Sequence, residues 1–329
     1  MDHFASLSII SGAKVSPFRY LSTGRSKNKS FLKRIEKYIA IIFAVFIVIV
    51  GSKSEISAAE FTFDRFYPTP AVLMEGTIEA GDSEKLQKLI DGRYVFSIYL
   101  ASPGGDVVEA MKIGRVMREL NLTAIVPTKI PADMAEELTQ RHGIRSRDNN
   151  VCLSACFFVL AGGIYREGFA TDDVILGVHK PYLSNSDLLT MNADQSMTSE
   201  INIHQIIHSY LNEMGISAKY EYLMFSAQKD ELIWINSREF SNDLAGFVPE
   251  LVDWVDARCG HLSKVEKSLW NDNENKSGSE IKIEIWAIMK PIMEKQLKQG
   301  SCEQNLRDQL VVDVATKRMT NNKGAATTH

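Results

Sequence analysis

Val95-Phe96-Ser97-Ile98-Tyr99-Leu100-Ala101-Ser102-Pro103-Gly104-Gly105-Asp106 is the stretch from which the architecture follows. Val95 to Leu100 is dominated by β-branched, aromatic and apolar residues and predicts a strand. Ser102-Pro103-Gly104-Gly105 ends it in a turn, because proline fixes φ and glycine tolerates positive φ. Beyond the turn, Val107, Ala110, Met111, Gly114, Met117 and Leu120 share one helical face, which predicts an amphipathic helix over 107–120. Thr123 to Val126 is the next strand. Upstream, Ala71 to Met74 reads as a strand and Asp82 to Ile90 as a helix, with Asp82 or Ser83 available as its cap. Strands alternating with amphipathic helices predict βαβ units, an α/β fold and a largely parallel sheet.

Further along, residues 127–150 interrupt the rhythm as a long insertion carrying Pro127, Pro131 and a short helix over 132–141. A helix is expected to open at Ser154 and run to Leu160. Val174 to His179 reads as a buried strand, Ile201 to Met214 as a helix stopped by Gly215, and Leu232 to Ile235 as a short strand. Leu244 to Val248 leads out of the core. Residues 271–279 have the composition of a linker. Helices over 281–298 and 303–318 follow, with Pro291 expected to kink or break the first. The last ten residues look frayed.

The 329 residues are 45% hydrophobic and 24% charged, ordinary for a globular protein, and a net charge of -4 argues against nucleic-acid binding. Basic residues nevertheless cluster at Lys14, Arg19, Arg25, Lys27, Lys29, Lys33, Arg34 and Lys37. They lead into an apolar run over 39–50 and then the small-residue site Ser57-Ala58-Ala59. That order is the order of a secretory signal. The rival reading is a retained anchor, in which 39–50 tethers the chain to the inner membrane. Either way the rest of the chain is expected to be exported, to a periplasmic or other extracytoplasmic location. The expected division is 1–59 signal or anchor, 60–258 main domain, and 259–329 helical C-terminal extension.

Four cysteines in an exported chain permit disulfides. Cys259 with Cys302 is the favoured pair. Cys152 and Cys156 are left open, either as partners or as small buried thiols.

Three local settings suggest chemistry when taken together. Ser154 stands at the expected mouth of a helix, where it could act as a nucleophile if a base activates it. His179 ends a buried strand. The Ala155 N–H and the Gly105 N–H are candidate donors to an oxyanion, each such donor being worth roughly 3 kcal/mol in a transition state. Cys152 and Cys156 occupy the two-before and two-after positions where a nucleophile elbow carries small residues, although its glycines are absent. Each setting alone has a plainer reading: a strand-to-helix turn, a helix cap and a structural histidine.

The joint order resembles the Clp protease/crotonase superfamily, especially its serine-peptidase branch, the Clp proteolytic subunit. Ser102-Pro103-Gly104-Gly105, Ser154 before a helix ending Ala161-Gly162, and Val178-His179-Lys180-Pro181 match that family's motifs in order. Glu75-Gly76-Thr77-Ile78 is similar to its first strand and turn. Ile235-Asn236-Ser237-Arg238-Glu239 followed by Gly246-Phe247-Val248 is similar to a later stretch. The likeness covers roughly residues 68–255. It implies repeated ββα units around a mostly parallel sheet, Ser154 as nucleophile, His179 as general base, and Gly105 and Ala155 as the oxyanion hole. It also implies a peptide or protein substrate and a homo-oligomer; no metal or cofactor is expected. The family's acidic residue falls here on Gln228, so Asp230 is the candidate for orienting His179. The insertion and the C-terminal extension also depart from the family.

His204 and His208 have metal-ligand spacing on a helix but no His-Glu-x-x-His. Lys180 could serve a Ser-Lys dyad, yet as the neighbour of His179 it should point to the opposite face. Acyl-CoA chemistry needs no nucleophilic serine. Two function classes follow: an exported serine hydrolase, or a non-catalytic binding or assembly protein that keeps the fold.

Overall fold

Four parallel strands carry the molecule's main sheet. In the computed structural model they are β2 (Ala71–Glu75), β3 (Ser97–Ala101), β4 (Thr123–Ile125) and β6 (Tyr165–Glu167). Two antiparallel strands flank them, β1 (Glu60–Asp64) against β2 and β9 (Gly246–Phe247) against β6. The structure describes residues 58–64, 69–128, 150–168, 174–181, 193–228, 231–273 and 283–326. The described part belongs to one compact unit, Ile56–His329.

Register explains how the sheet buries one face. Val72 pairs with Ile98 and Ile98 with Ala124, and all three are 0% exposed. Their side chains share one face because alternate strand residues point the same way. Helices α1 (Asp82–Ile90) and α2 (Val107–Glu119) contribute Leu86, Met111, Ile113 and Met117 to the same core. Helix α3 (Cys156–Gly162) is buried along its whole length, and Gly162 lies so close to Gly114 of α2 that a Cβ there would overlap the Gly114 backbone.

A second sheet contains β5 (Cys152–Leu153), β7 (Leu176–Val178) and β8 (Ile233–Ile235), in the order β5-β7-β8. It hooks onto the end of β3, since Ser102 donates to the Val151 carbonyl at 2.7 Å and Leu153 donates to the Ser102 carbonyl at 3.1 Å. The expected parallel pairing is present in β2, β3, β4 and β6 and between β5 and β7; the antiparallel strands β1, β8 and β9 and the division into two sheets are additions to it.

Helices α4 (Ala193–Glu213) and α5 (Ala218–Ser226) follow, then α6 (Ser237–Asp243), α7 (Pro249–Cys259) and α8 (Lys264–Asn273). Two arginines fasten the C-terminal ends of α3 and α4. Arg166, 3% exposed, donates to the carbonyls of Ala161 at 2.9 Å and Met214 at 2.8 Å. Arg118 donates to the Gly162 carbonyl at 3.1 Å. These carbonyls have no partner within their own helices, and a cation near them also opposes the negative helix end. Burial, with the neighbouring Arg118 charge, brings the Arg166 guanidinium down to about 10.

The final helix, α9 (Ile283–Ala326), corrects the expectation of two helices broken at Pro291. Proline removes one backbone donor and crowds the preceding turn. Here Met289 and Ile292, on either side of it, are buried against Leu262 and hold the helix together. Further along, α9 crosses the second face of the main sheet. Val311 is buried there, Arg307 pairs with Glu167 at 3.1 Å, and Asn121 donates to the Leu310 carbonyl at 3.2 Å. Tyr99, Ile125 and Val311 help line a cavity of about 320 Å³ between sheet and helix.

Both cysteine pairs are disulfides. Cys259–Cys302 is as favoured and ties the end of α7 to α9. Cys152–Cys156 excludes the alternative of buried thiols. Most of the 127–150 insertion and residues 39–50 lie outside the described residues. No helix among the described residues is long and apolar enough to cross a membrane.

Candidate active site

Ser154 follows β5 directly and precedes α3, with φ at 55°, in the left-handed region. For a residue with a Cβ this conformation costs about 1–2 kcal/mol. Only one other non-glycine among the described residues, Asn121, has positive φ. A strained backbone at a strand-to-helix turn is the setting in which a hydroxyl is pushed out of the turn toward a ligand.

The turn is held from several sides. The Ser154 N–H donates to the Gly177 carbonyl at 2.9 Å, and the Ser154 carbonyl accepts from the Phe157 N–H at 3.0 Å. Ala155 continues as αR and starts α3. Ser154 is partly exposed, while Ala155 is fully buried.

His179 arrives from the neighbouring strand. β5 and β7 are parallel, with Cys152 opposite Leu176 and Leu153 opposite Gly177. Both strands therefore deliver their next residues to the same end of the small sheet. The Ser154 N–H bonds to the carbonyl of Gly177, two residues before His179, so Ser154 and His179 leave the small sheet at the same end. His179 is partly buried, and its Nδ1 lies 2.8 Å from the Lys180 carbonyl oxygen. A carbonyl only accepts, so this contact selects the tautomer with the proton on Nδ1 and the lone pair on Nε2.

The Ser-Pro-Gly-Gly turn meets the serine turn. Gly104 has φ 108° and Gly105 has φ 138°. A Cβ at Gly104 would lie 2.7 Å from the Ser154 Cβ and 3.1 Å from the Ala155 nitrogen. The Gly104 N–H is already bonded to the Ser102 hydroxyl at 3.1 Å, and the Gly104 carbonyl accepts from Ile78 at 2.8 Å. Asp106 closes the turn by capping α2, its carboxylate accepting from the Glu109 N–H at 2.8 Å. Gly105 is exposed, and neither its N–H nor that of Ala155 donates to another described residue. Two backbone donors from adjacent turns beside one hydroxyl could together bind an anionic oxygen.

Of the other sequence candidates, Asp230 lies outside the described residues. Gln228, at the position where the resemblance expects an acid, is exposed, and its N–H donates to Glu231 at 3.0 Å. His204 and His208 both face Glu221, at 3.4 Å and 2.8 Å, and join α4 to α5. Among the described residues no group of three metal-ligating side chains is arranged to hold an ion. The Cys152–Cys156 disulfide spanning Ser154 was missed as part of the site. The cysteine spacing alone does not signal it, because only the strand-to-helix turn at Ser154 brings the two sulfurs together.

No family model matches this chain, and no curated protein does. Among solved structures, a membrane-bound stomatin-specific protease in a mutant form aligns with 57% of this chain and 83% of its own. It shares 14% identity at a TM-score of 0.34. A likeness this loose assigns neither fold nor chemistry.

Proposed function

We propose that this chain is an exported serine hydrolase of Clp protease/crotonase type, with residues 60–258 as its catalytic domain and peptides or proteins as its substrates. The observation that carries the reading is the left-handed Ser154, bonded to Gly177 two residues before His179 and pressed against Gly104. In this reading His179 Nε2 takes the proton from the Ser154 hydroxyl as its oxygen attacks the scissile carbonyl. Gly105 and Ala155 donate to the resulting oxyanion. The imidazolium then returns its proton to the leaving amine, and water, activated by the same imidazole, resolves the ester. Asp230 is assigned as the carboxylate that stabilises the imidazolium. Two disulfides support an oxidising location, with the segment 1–59 as signal or anchor. Assembly of several copies is part of the same reading.

A fluorophosphonate probe tests it, because such probes esterify only an activated serine. Stoichiometric labelling of the folded protein, absent in Ser154→Ala and His179→Ala, is the expected result. Absence of labelling in pure, folded wild-type protein would instead favour a binding or assembly protein that keeps this architecture.

A further inference from the structure

We infer that the Cys152–Cys156 disulfide is the positioning element that holds Ser154 in its left-handed conformation. The inference rests on the reading of Ser154 as nucleophile and adds what keeps that nucleophile in place.

The bond closes a ring over Cys152-Leu153-Ser154-Ala155-Cys156, with the end Cα atoms 5.2 Å apart. Neither regular conformation of this pentapeptide can carry it. An extended strand would separate the ends by about 13 Å. A helix would bring them near, but Cβ atoms four apart on a helix lie about 5–6 Å from each other, whereas a disulfide needs about 3.5–4.5 Å. The chain must therefore leave the strand and enter the helix within the ring. The only left-handed residue in the ring is Ser154, at its centre, with φ 55°. Cys152 lies in the two-residue strand β5 and Cys156 begins its helix, so the bond staples strand to helix across the serine.

Without the bond, the turn would keep the hydrogen bonds from Ser154 to Gly177 and from Phe157 to Ser154 and its close contact with Gly104. The ordinary right-handed conformation is favoured by about 1–2 kcal/mol. Adopting it would extend α3 backward by one residue and swing the hydroxyl away from the Gly104–Gly105 turn. Both cysteines are 0% exposed, so a reductant reaches the bond only if the turn opens. Forming it takes two protons and two electrons from the thiols, delivered to an oxidised disulfide donor such as oxidised glutathione, which leaves as two thiols. The nucleophile is thus set only after the chain meets an oxidising environment.

The test compares wild-type protein with Cys152→Ala/Cys156→Ala, with Cys259→Ala/Cys302→Ala as the control for disulfide loss elsewhere. Labelling by the fluorophosphonate is resolved into probe affinity and maximal rate, and the Ser154 backbone is read from crystal structures. The expected result is a maximal rate about tenfold lower at unchanged affinity, with Ser154 at negative φ. The control should label like wild type and melt earlier. A folded Cys152→Ala/Cys156→Ala protein that labels at the wild-type rate with Ser154 still near its present φ would overturn the inference. If wild type itself does not label, the hydrolase reading fails, and the φ of Ser154 in the variant still decides the positioning role. If that variant does not fold, Cys259→Ala/Cys302→Ala protein refolded in phosphine reductant gives the same comparison. There, recovery of the rate on addition of oxidised glutathione is expected, and a rate indifferent to redox state would overturn the inference.

Discussion

The Cβ that Gly104 lacks would stand 2.7 Å from the Cβ of Ser154 and 2.9 Å from the Leu153 carbonyl oxygen. Two turns that are 50 residues apart in the chain are thereby pressed together with no side chain between them.

Gly104→Ala should consequently damage the site before it damages the fold. At φ 108° any side chain is strained, and the added methyl would force the serine turn to shift. A shift of about 1 Å can cost about 100-fold in rate. The expected outcome is labelling of Ser154 slowed by one to two orders of magnitude, with a melting temperature lower by several degrees. Gly246→Ala is the control: it also has positive φ, 94°, but a Cβ there meets nothing within 4 Å. It should change stability by about 1 kcal/mol and leave the rate alone.

Much of this site was legible because its signals are local. The strand, the Pro-Gly-Gly turn and the amphipathic helix after it span fewer than thirty residues and fold where their pattern places them. What escaped depends on tertiary context. Serine has no general preference for positive φ, so the conformation of Ser154 could not be read from residue type. Cysteines four apart look like neighbours on a helix face, a geometry that cannot close a disulfide, and only the strand-to-helix turn lets them bond. Pro291 reads as a break until the burial of Met289 and Ile292 is known. The edge strand β1 is different. Glu60-Phe61-Thr62-Phe63-Asp64 alternates with period two, and that signal was available and went unused.

Glu109 supplies a prediction in pH. Its buried carboxylate accepts from the Ser83 hydroxyl at 2.6 Å, the Ser83 N–H at 2.8 Å and Lys112 Nζ at 2.9 Å, joining α1 to the start of α2. Burial pushes its carboxyl upward, but the Ser83 and Lys112 bonds outweigh this and hold it at about 2, well below the usual 4.5. A folded-state value below the unfolded one contributes stability above pH 4.5 and loses it as pH falls toward 2. Glu109→Gln should cost about 2 kcal/mol at neutral pH. The check is thermal melting from pH 7 to pH 2. The gap between wild type and variant should narrow through that acid window, and a constant gap would remove Glu109 as its source.

The second disulfide should act on stability alone. Cys259 and Cys302 are 43 residues apart, and closing a loop of that length stabilises by about 4 kcal/mol in the chain-entropy account. Cys259→Ala/Cys302→Ala should melt well below wild type. Loss of hydrogen-exchange protection should concentrate in α8 and the first half of α9, whose small core of Leu262, Met289 and Ile292 lies inside the loop. Amides of β2 and β3 should keep their ranking as the best protected.

His179 leads to the last prediction. Where a buried aspartate alone orients a catalytic histidine, its amide replacement drops the rate about 10⁴-fold, because the wrong ring nitrogen carries the proton. Here the Lys180 carbonyl, 2.8 Å from Nδ1, already selects the productive tautomer. A carboxylate at Asp230 would add only charge stabilisation for the imidazolium. Asp230→Asn should therefore slow turnover and probe labelling by about 10- to 100-fold, whereas His179→Ala should abolish both. The decisive measurement is the ratio of the two labelling rates at saturating probe. A loss on Asp230→Asn as complete as that on His179→Ala would mean that the Lys180 carbonyl does not hold the ring, and that the histidine depends on its carboxylate as an ordinary triad does.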